Sequence, residues 1–150
     1  MSVIYSDAWY EEMKQLINGS EDLGRLAPKT RIAFTLEVMG DGASPYVPRE
    51  GALYFLLVIE NGKVTEFRPL TERHDGKGLH FRFTAPATVW EGVAAGNNDP
   101  IKCGLRGEIK VRGDMKFLME NADAVKLAID LYGHQGSTEW PLGRPPYEAA

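Results

Sequence analysis

Three histidines, a single cysteine and a few adjacent acids are the residues of this chain whose side chains could do catalysis or hold a metal. His74, His80 and His134 show neither the i, i+4 pairing nor the H-E-x-x-H spacing that sets two imidazoles around one zinc ion. His74 precedes Asp75, a pair able to share a proton, but the stretch Arg73–Gly78 reads as a turn in which water solvates both groups. Cys103 has Lys102 and Arg106 close by, and cations depress a thiol's pKa; the same thiol buried between short elements would be inert. Glu11-Glu12 reads as a solvated helix face. There is no G-x-S-x-G elbow, no Walker loop and no G-x-G-x-x-G after a strand. No acid, base and nucleophile stand in a recognisable order. The expectation is a chain with no catalytic residues of its own, no metal and no cofactor.

Bulk properties narrow the classes further. With 150 residues, 43% hydrophobic and 25% charged, the chain fits one globular domain spanning 1–150. Its core should cover about residues 6–133, followed by an irregular Pro/Gly-rich tail over 134–150. Seventeen basic residues against twenty-one acidic give a net charge of −4, and the Lys and Arg are scattered. A nucleic-acid surface needs them clustered, so no nucleic-acid partner is expected. One cysteine allows no internal disulfide and suits a reducing compartment. Residues 1–7 lack the basic start and apolar run of a signal peptide, and the last three, Glu148-Ala149-Ala150, are no peroxisomal address. The longest apolar run, Ala52–Ile59, falls far short of the roughly 20 residues that cross a bilayer. A cytoplasmic protein without stable membrane insertion is expected, in which the Asn18-Gly19-Ser20 sequon is inert.

The elements follow from periodicity. Ser6 is a helix cap, and Trp9, Met13, Leu16 and Ile17 share one helical face that ends at Asn18-Gly19-Ser20. Over Thr30–Met39, Ile32, Phe34, Leu36 and Val38 alternate with more polar neighbours, the period of a strand with one buried face. Gly40–Gly51 is a loop. Ala52–Glu60, apolar on both faces, is a central strand; Asn61-Gly62 is a strong hairpin signal, and Lys63–Leu70 returns antiparallel. Leu79, Phe81 and Phe83 mark a fourth strand stopped by Pro86. Thr88–Ala95 is a short helix carrying Val89, Trp90 and Val93, Asp99-Pro100 starts another helical turn, and Gly107–Arg112 is a fifth strand. Asp114 caps a closing helical region, Met115–Tyr132, which Asn121 could divide in two. The sum is an α+β domain: a five-stranded, mainly antiparallel sheet with helices packed on one face.

The closing region carries the functional signal. Met115, Leu118, Met119, Ala122, Val125, Ile129 and Tyr132 recur at helical spacing, and Phe117, Ala124, Leu127, Ala128 and Leu131 widen the stripe well past the ~100° that one core accommodates. Each large apolar side chain left in water forfeits about 1.5–3 kcal/mol. Three covers meet that demand: the chain's own first helix or tail, a second copy in a homodimer, or an apolar ligand held between helix and sheet. Met115 and Met119 suit surfaces that accept varied shapes. Phe34, Leu36, Phe55, Phe81 and Phe83 on the strands, with Trp90, could wall a pocket or simply fill a core.

The segment Gly104–Met115, Gly-Leu-Arg-Gly-Glu-Ile-Lys-Val-Arg-Gly-Asp-Met, is similar to the signature of sterol carrier protein 2 domains. There a glycine-started strand runs into a Gly-Asp turn and then the closing helices. Asn121–Val125, the hairpin within Tyr54–Val64 and the order Thr88–Ala95, Gly96, Asp99-Pro100 continue the resemblance, which runs from about Thr30 to Tyr132. It implies an apolar tunnel for a fatty acid, acyl-CoA or sterol-like lipid between sheet and C-terminal helices. The lining would come from Phe34, Leu36, Phe55, Phe81, Phe83, Trp90, Met115, Leu118, Met119, Ala122, Val125 and Ile129. It transfers no catalytic residues. The long Gly40–Gly51 loop and the extension after Gly133 depart from the family pattern. Two rival readings are an accessory substrate-binding module of a larger enzyme system and a structural homodimer.

Overall fold

A computed structural model describes residues 2–133 and 138–147, without the side chains of residues 126, 129, 130, 132 and 133. The elements run β1 (Ser2–Val3), α1 (Asp7–Asn18), α2 (Glu21–Leu26), β2 (Ile32–Met39), β3 (Ala52–Glu60), β4 (Lys63–Leu70), β5 (Phe81–Pro86), α3 (Ala87–Ala94), α4 (Pro100–Leu105), β6 (Lys110–Gly113), α5 (Met115–Glu120), α6 (Ala122–Gly133) and β7 (Thr138–Glu139). The main sheet has the order β4-β3-β2-β5-β6. All its pairings are antiparallel except β2 with β5. Pro69 is tolerated in β4 because that strand lies at the sheet edge, where its missing N–H costs no ladder bond.

Local chemistry explains the ends of these elements. Asn61 (φ 51°) and Gly62 (φ 78°) both adopt the left-handed backbone that a two-residue hairpin needs. Ser6 caps α1 by accepting from Trp9 N at 3.2 Å. Asp99 and Asp114 cap α4 and α5 in the same way, with Pro100 opening α4. Gly113, at φ 136°, packs so tightly that a Cβ there would collide with the His80 carbonyl. Helix α3 begins at Pro86, which offers no side-chain cap. Asp41, from the long loop, fills that role: its carboxylate accepts from Thr88 N at 3.1 Å and Thr88 Oγ1 at 2.6 Å, and from Ala43 N and Ser44 N. Burial alone would raise the Asp41 pKa, but these hydrogen bonds outweigh it and hold the group below its ordinary value.

The helices lie on one face of the sheet, as expected. Trp9, Tyr10, Met13 and Ile17 of α1 join Phe55, Leu57, Val64 and Phe67 in the main core. On the opposite face a smaller cluster of Ala33, Leu56 and Val58 is covered by Leu70 and Leu79, from the ends of the β4–β5 crossing. Next to it sits Glu37, 1% exposed. Its carboxylate accepts from Arg82 at 2.6 Å, Arg73 at 2.9 Å and Thr84 at 2.8 Å. Burial opposes ionisation, yet these donors keep its pKa below the ordinary value.

The structure adds three elements to the sequence expectation: α2 and the short strands β1 and β7. Helix α2 is an addition between the first helix and the first long strand; Ser20 caps it and Glu21 and Asp22 fill its first turn. The tail, expected to be irregular, supplies β7, which pairs in parallel with β1. Trp9 Nε1 donates to Thr138 Oγ1 at 3.1 Å, Tyr46 Oη to the Gly143 carbonyl at 2.8 Å and Arg144 to the Ala95 carbonyl at 2.6 Å. These bonds strap residues 138–147 across the N-terminal segment, the long loop and α3. His134 lies outside the described residues.

Candidate functional site: an apolar cavity between sheet and helices

Alternation along β2 and β5 sends Phe34, Leu36, Phe81 and Phe83 to the helix-covered face, where Phe34 and Phe83 meet edge to face at 5.5 Å. Helix α3 crosses above them. Its Trp90 donates Nε1–H to the Glu37 carbonyl at 3.0 Å, which satisfies the indole's polar atom and leaves its ring as apolar wall. Between these groups and the facing helices is a cavity of about 270 Å³. Its walls include Ile17 and Leu23 from the first two helices, Leu57 and Phe67 from the sheet, Ile101 from α4, and Phe117, Leu118, Val125 and Ala128 from α5 and α6.

The chemistry of this wall is one-sided. Beyond the satisfied indole, Asn121 alone among its lining residues has a polar side chain, and no charged residue contributes. Asn121 is also spoken for, since its Nδ2 donates to the Phe117 carbonyl at 2.9 Å. That bond ends α5, so the closing region is two helices meeting at Asn121. A wall with no charged side chain and a single amide, whose nitrogen already bonds its own helix, can hold hydrocarbon.

Seven of the twelve residues expected to line a pocket do so: Phe34, Leu36, Phe81, Phe83, Trp90, Leu118 and Val125. Phe55 is instead 2% exposed within the core, tilted on Tyr10 at 4.9 Å and stacked with Tyr5 at 6.0 Å. Met115 and Met119 are 47% and 75% exposed, and Ala122 is exposed. The break at Asn121 is the reason: a stripe drawn along one continuous helix does not survive a change of axis. The side chain of Ile129 lies outside the described residues. Sequence reasoning did not assign Ile17, Leu23, Ile101 or Phe67 to the wall; of these only Ile17 stood on an apolar face it had recognised, and nothing local marked which faces converge.

The other chemical candidates are accounted for locally. His74 Nδ1 accepts from Gly76 N at 2.9 Å and Asp75 accepts from Lys77 N at 2.9 Å, so both build the turn. Burial, with the nearby Glu108 charge, pushes the Cys103 thiol up, against the activation that Lys102 and Arg106 suggested. Among the described residues no group of three His, Cys, Asp or Glu could hold a metal ion. Glu91, 0% exposed, faces away from the cavity on α3. It accepts from Tyr147 at 2.6 Å, Tyr5 at 2.8 Å and Ser44 at 2.9 Å. Burial raises its pKa despite those three donors, and the Asp41 charge adds to the rise.

A family model described as the SCP-2 sterol transfer family matches residues 11–126. The chain belongs to that family. The match spans the cavity walls from α1 to the start of α6, and the SCP-2 family as a whole is one of lipid binding and transfer. This SCP-2 chain is similar in fold to a crystal structure of sterol carrier protein 2, at 18% identity and TM-score 0.73, covering 87% of this chain and 98% of that one. It is also similar to a conserved hypothetical protein of Thermus thermophilus, described as a possible sterol carrier protein, at 17% identity and TM-score 0.72, with 92% of each chain covered. A palmitated SCP2L2 from Aedes aegypti is similar at 13% identity and TM-score 0.51, over 77% of this chain and 88% of that one. No curated protein is similar enough in sequence to count as a match. No helix among the described residues is long and apolar enough to cross a membrane.

Proposed function

We propose that this SCP-2 chain is a non-catalytic carrier of a single-tailed hydrophobic lipid, whose acyl chain lies in the cavity between sheet and α5–α6. One observation carries the reading: the cavity wall is apolar surface in which the one amide side chain, Asn121, is already bonded to its own helix. A charged head group cannot be solvated inside, so it stays at the opening. At roughly 30 Å³ for each small group, the liquid share of a water molecule, 270 Å³ admits about nine methylenes. At about 0.8 kcal/mol each, that is a gross ~7 kcal/mol, from which association costs subtract. The palmitate on the Aedes aegypti relative supports a slim acyl chain over fused rings.

The test is binding of a fluorescent fatty acid to the purified chain. Val125→Asp puts a carboxylate in the wall and Ala128→Trp fills the space; each should lower affinity at least tenfold while the circular dichroism spectrum stays unchanged. Native mass spectrometry of freshly purified protein should show a copurified lipid mass. Undiminished binding by both variants sinks the proposal.

A further inference from the structure

We infer that a cleft on the flank of α3, closed by the C-terminal tail, is a binding site for a small aliphatic primary amine in its ammonium form. The cleft has a volume of about 480 Å³ and shares no lining residue with the apolar cavity. On α3, Trp90 and Val93 face the cavity, whereas Thr88, Val89 and Gly92 face the cleft. The inference goes beyond the carrier reading and does not depend on it.

The walls are fixed by hydrogen bonds. The turn after α3 folds back on the helix, with Asn97 N and Asn98 N both donating to the Gly92 carbonyl, at 2.8 and 3.1 Å. The Asn98 amide then lies so close to Gly92 that a Cβ there would collide with it. Opposite stands the tail, Pro145–Tyr147, held by the Asn97 Nδ2 bond to the Pro145 carbonyl at 2.8 Å and by the Tyr147 bond to Glu91 at 2.6 Å. Ala43 of the long loop completes the rim. The tail lies beyond the family match, which ends at residue 126, and the Gly40–Gly51 loop departs from the family pattern. The cleft is therefore walled in part by this chain's own additions.

The remaining hydrogen-bonding capacity selects the ligand. Thr88 and Tyr147 have each spent their one hydroxyl proton, on Asp41 and on Glu91, and toward the cleft they can only accept. Pro145 and Pro146 have no N–H to offer. Asn97 and Asn98 each commit one N–H, to the Pro145 and Val89 carbonyls, and among the described residues nothing donates to their amide oxygens. Glu108 is half-buried and is the one charged residue in the wall. Its contacts are the Cys103 thiol and Arg106, the latter 3.6 Å away in an exposed pair of the kind that holds weakly. Asp41, behind Thr88, adds negative potential, and Arg144 spends its guanidinium on the Ala95 carbonyl at 2.6 Å. Acceptors thus outnumber donors around a single negative charge. An ammonium group brings three donors and the opposite charge, and Val89 with the two prolines gives its methylene stem apolar contact. A carboxylate or phosphate would meet Glu108 and a wall of lone pairs.

The test is titration of the isotope-labelled full chain with butylammonium, butanol and butyrate at pH 7, where the amine is charged, at constant ionic strength and read by amide NMR shifts. Butylammonium should shift the Gly92, Asn97, Asn98 and Glu108 amides saturably and bind about tenfold or more tightly than butanol, while butyrate should give no saturable shift there. Glu108→Gln, which keeps the shape and removes the charge, should weaken butylammonium about tenfold and leave fatty-acid affinity unchanged. Any of three results overturns the site: no saturable shift at these amides, equal affinity for butylammonium and butanol, or undiminished butylammonium binding by Glu108→Gln. The carrier reading stands in each of those cases, and failure of the chain to bind fatty acid leaves the amine site standing.

Discussion

The Tyr147 hydroxyl donates to the Glu91 carboxylate at 2.6 Å although 56 positions of sequence separate them. The acid is fully buried, and among the described residues its hydrogen-bond donors are the hydroxyls of Tyr147, Tyr5 and Ser44. Those hydroxyls come from the tail, the N-terminal segment and the long loop, so one carboxyl group joins three distant segments to the back of α3. The front of the same helix holds Trp90 and Val93 against the cavity.

Removing the tail's share of this junction should be costly. Tyr147→Phe leaves a buried acceptor short of a donor, and a loss of about 1–3 kcal/mol in urea unfolding is expected. A loss below about half a kcal/mol would mean that the strap contributes nothing through this bond.

Stability should also depend on pH with opposing signs. Glu91 has a raised pKa in the fold, mainly through burial, so its contribution is present below its ordinary pKa and is lost as pH rises through the raised value. Glu37 and Asp41 have lowered pKa values, so theirs are present above their ordinary values and are lost as pH falls through the lowered ones. Glu91→Gln should therefore flatten the decline above about pH 5 and leave the acid limb unchanged, as read by melting temperature across pH. Parallel curves for variant and parent would contradict this.

The two arginines at Glu37 should not be equivalent. The Arg82 side chain is 15% exposed and the Arg73 side chain 58%. Arg82→Leu strips a buried acid of its buried partner and should cost about 3 kcal/mol. Arg73→Leu removes a solvated partner and should cost under about 1 kcal/mol. Equal losses in chemical denaturation would show that the cluster does not divide between buried and exposed partners.

Met119 and Val125 are neighbours on one apolar stripe in the sequence and separate in the fold. Val125→Asp should lower fatty-acid affinity at least tenfold, while Met119→Asp, at an exposed position, should change it less than about twofold. Equal losses would place both on the cavity wall.

What the sequence made legible was local. Asn61-Gly62 required the hairpin, the alternation in Ile32–Met39 required a strand with one buried face, and Asn121 marked the break that divides the closing helices. Phe34, Leu36, Phe81 and Phe83 reached the wall because period-two alternation fixes the face of a strand residue regardless of its partners. What stayed hidden was convergence. The Met115–Met119 assignment assumed one helix axis, and a half-turn of error in direction changes wall into surface. Nothing near Glu37 announces Arg73 and Arg82, which arrive only through the β4–β5 crossing. Nothing near Trp9 announces Thr138, whose hydroxyl reaches it across 129 positions.

Glu37 has one more consequence. It stands on the central strand, between Phe34 and Leu36 on one side and Val38 on the other, pointing away from them. A slip of that strand by a single position against either neighbour would thrust an ionised acid into the hydrocarbon space and turn two large apolar groups toward its arginines. The correct alignment is thus guarded by a penalty on every misaligned one, and the acid's worth lies as much in the assemblies it forbids as in the one it holds.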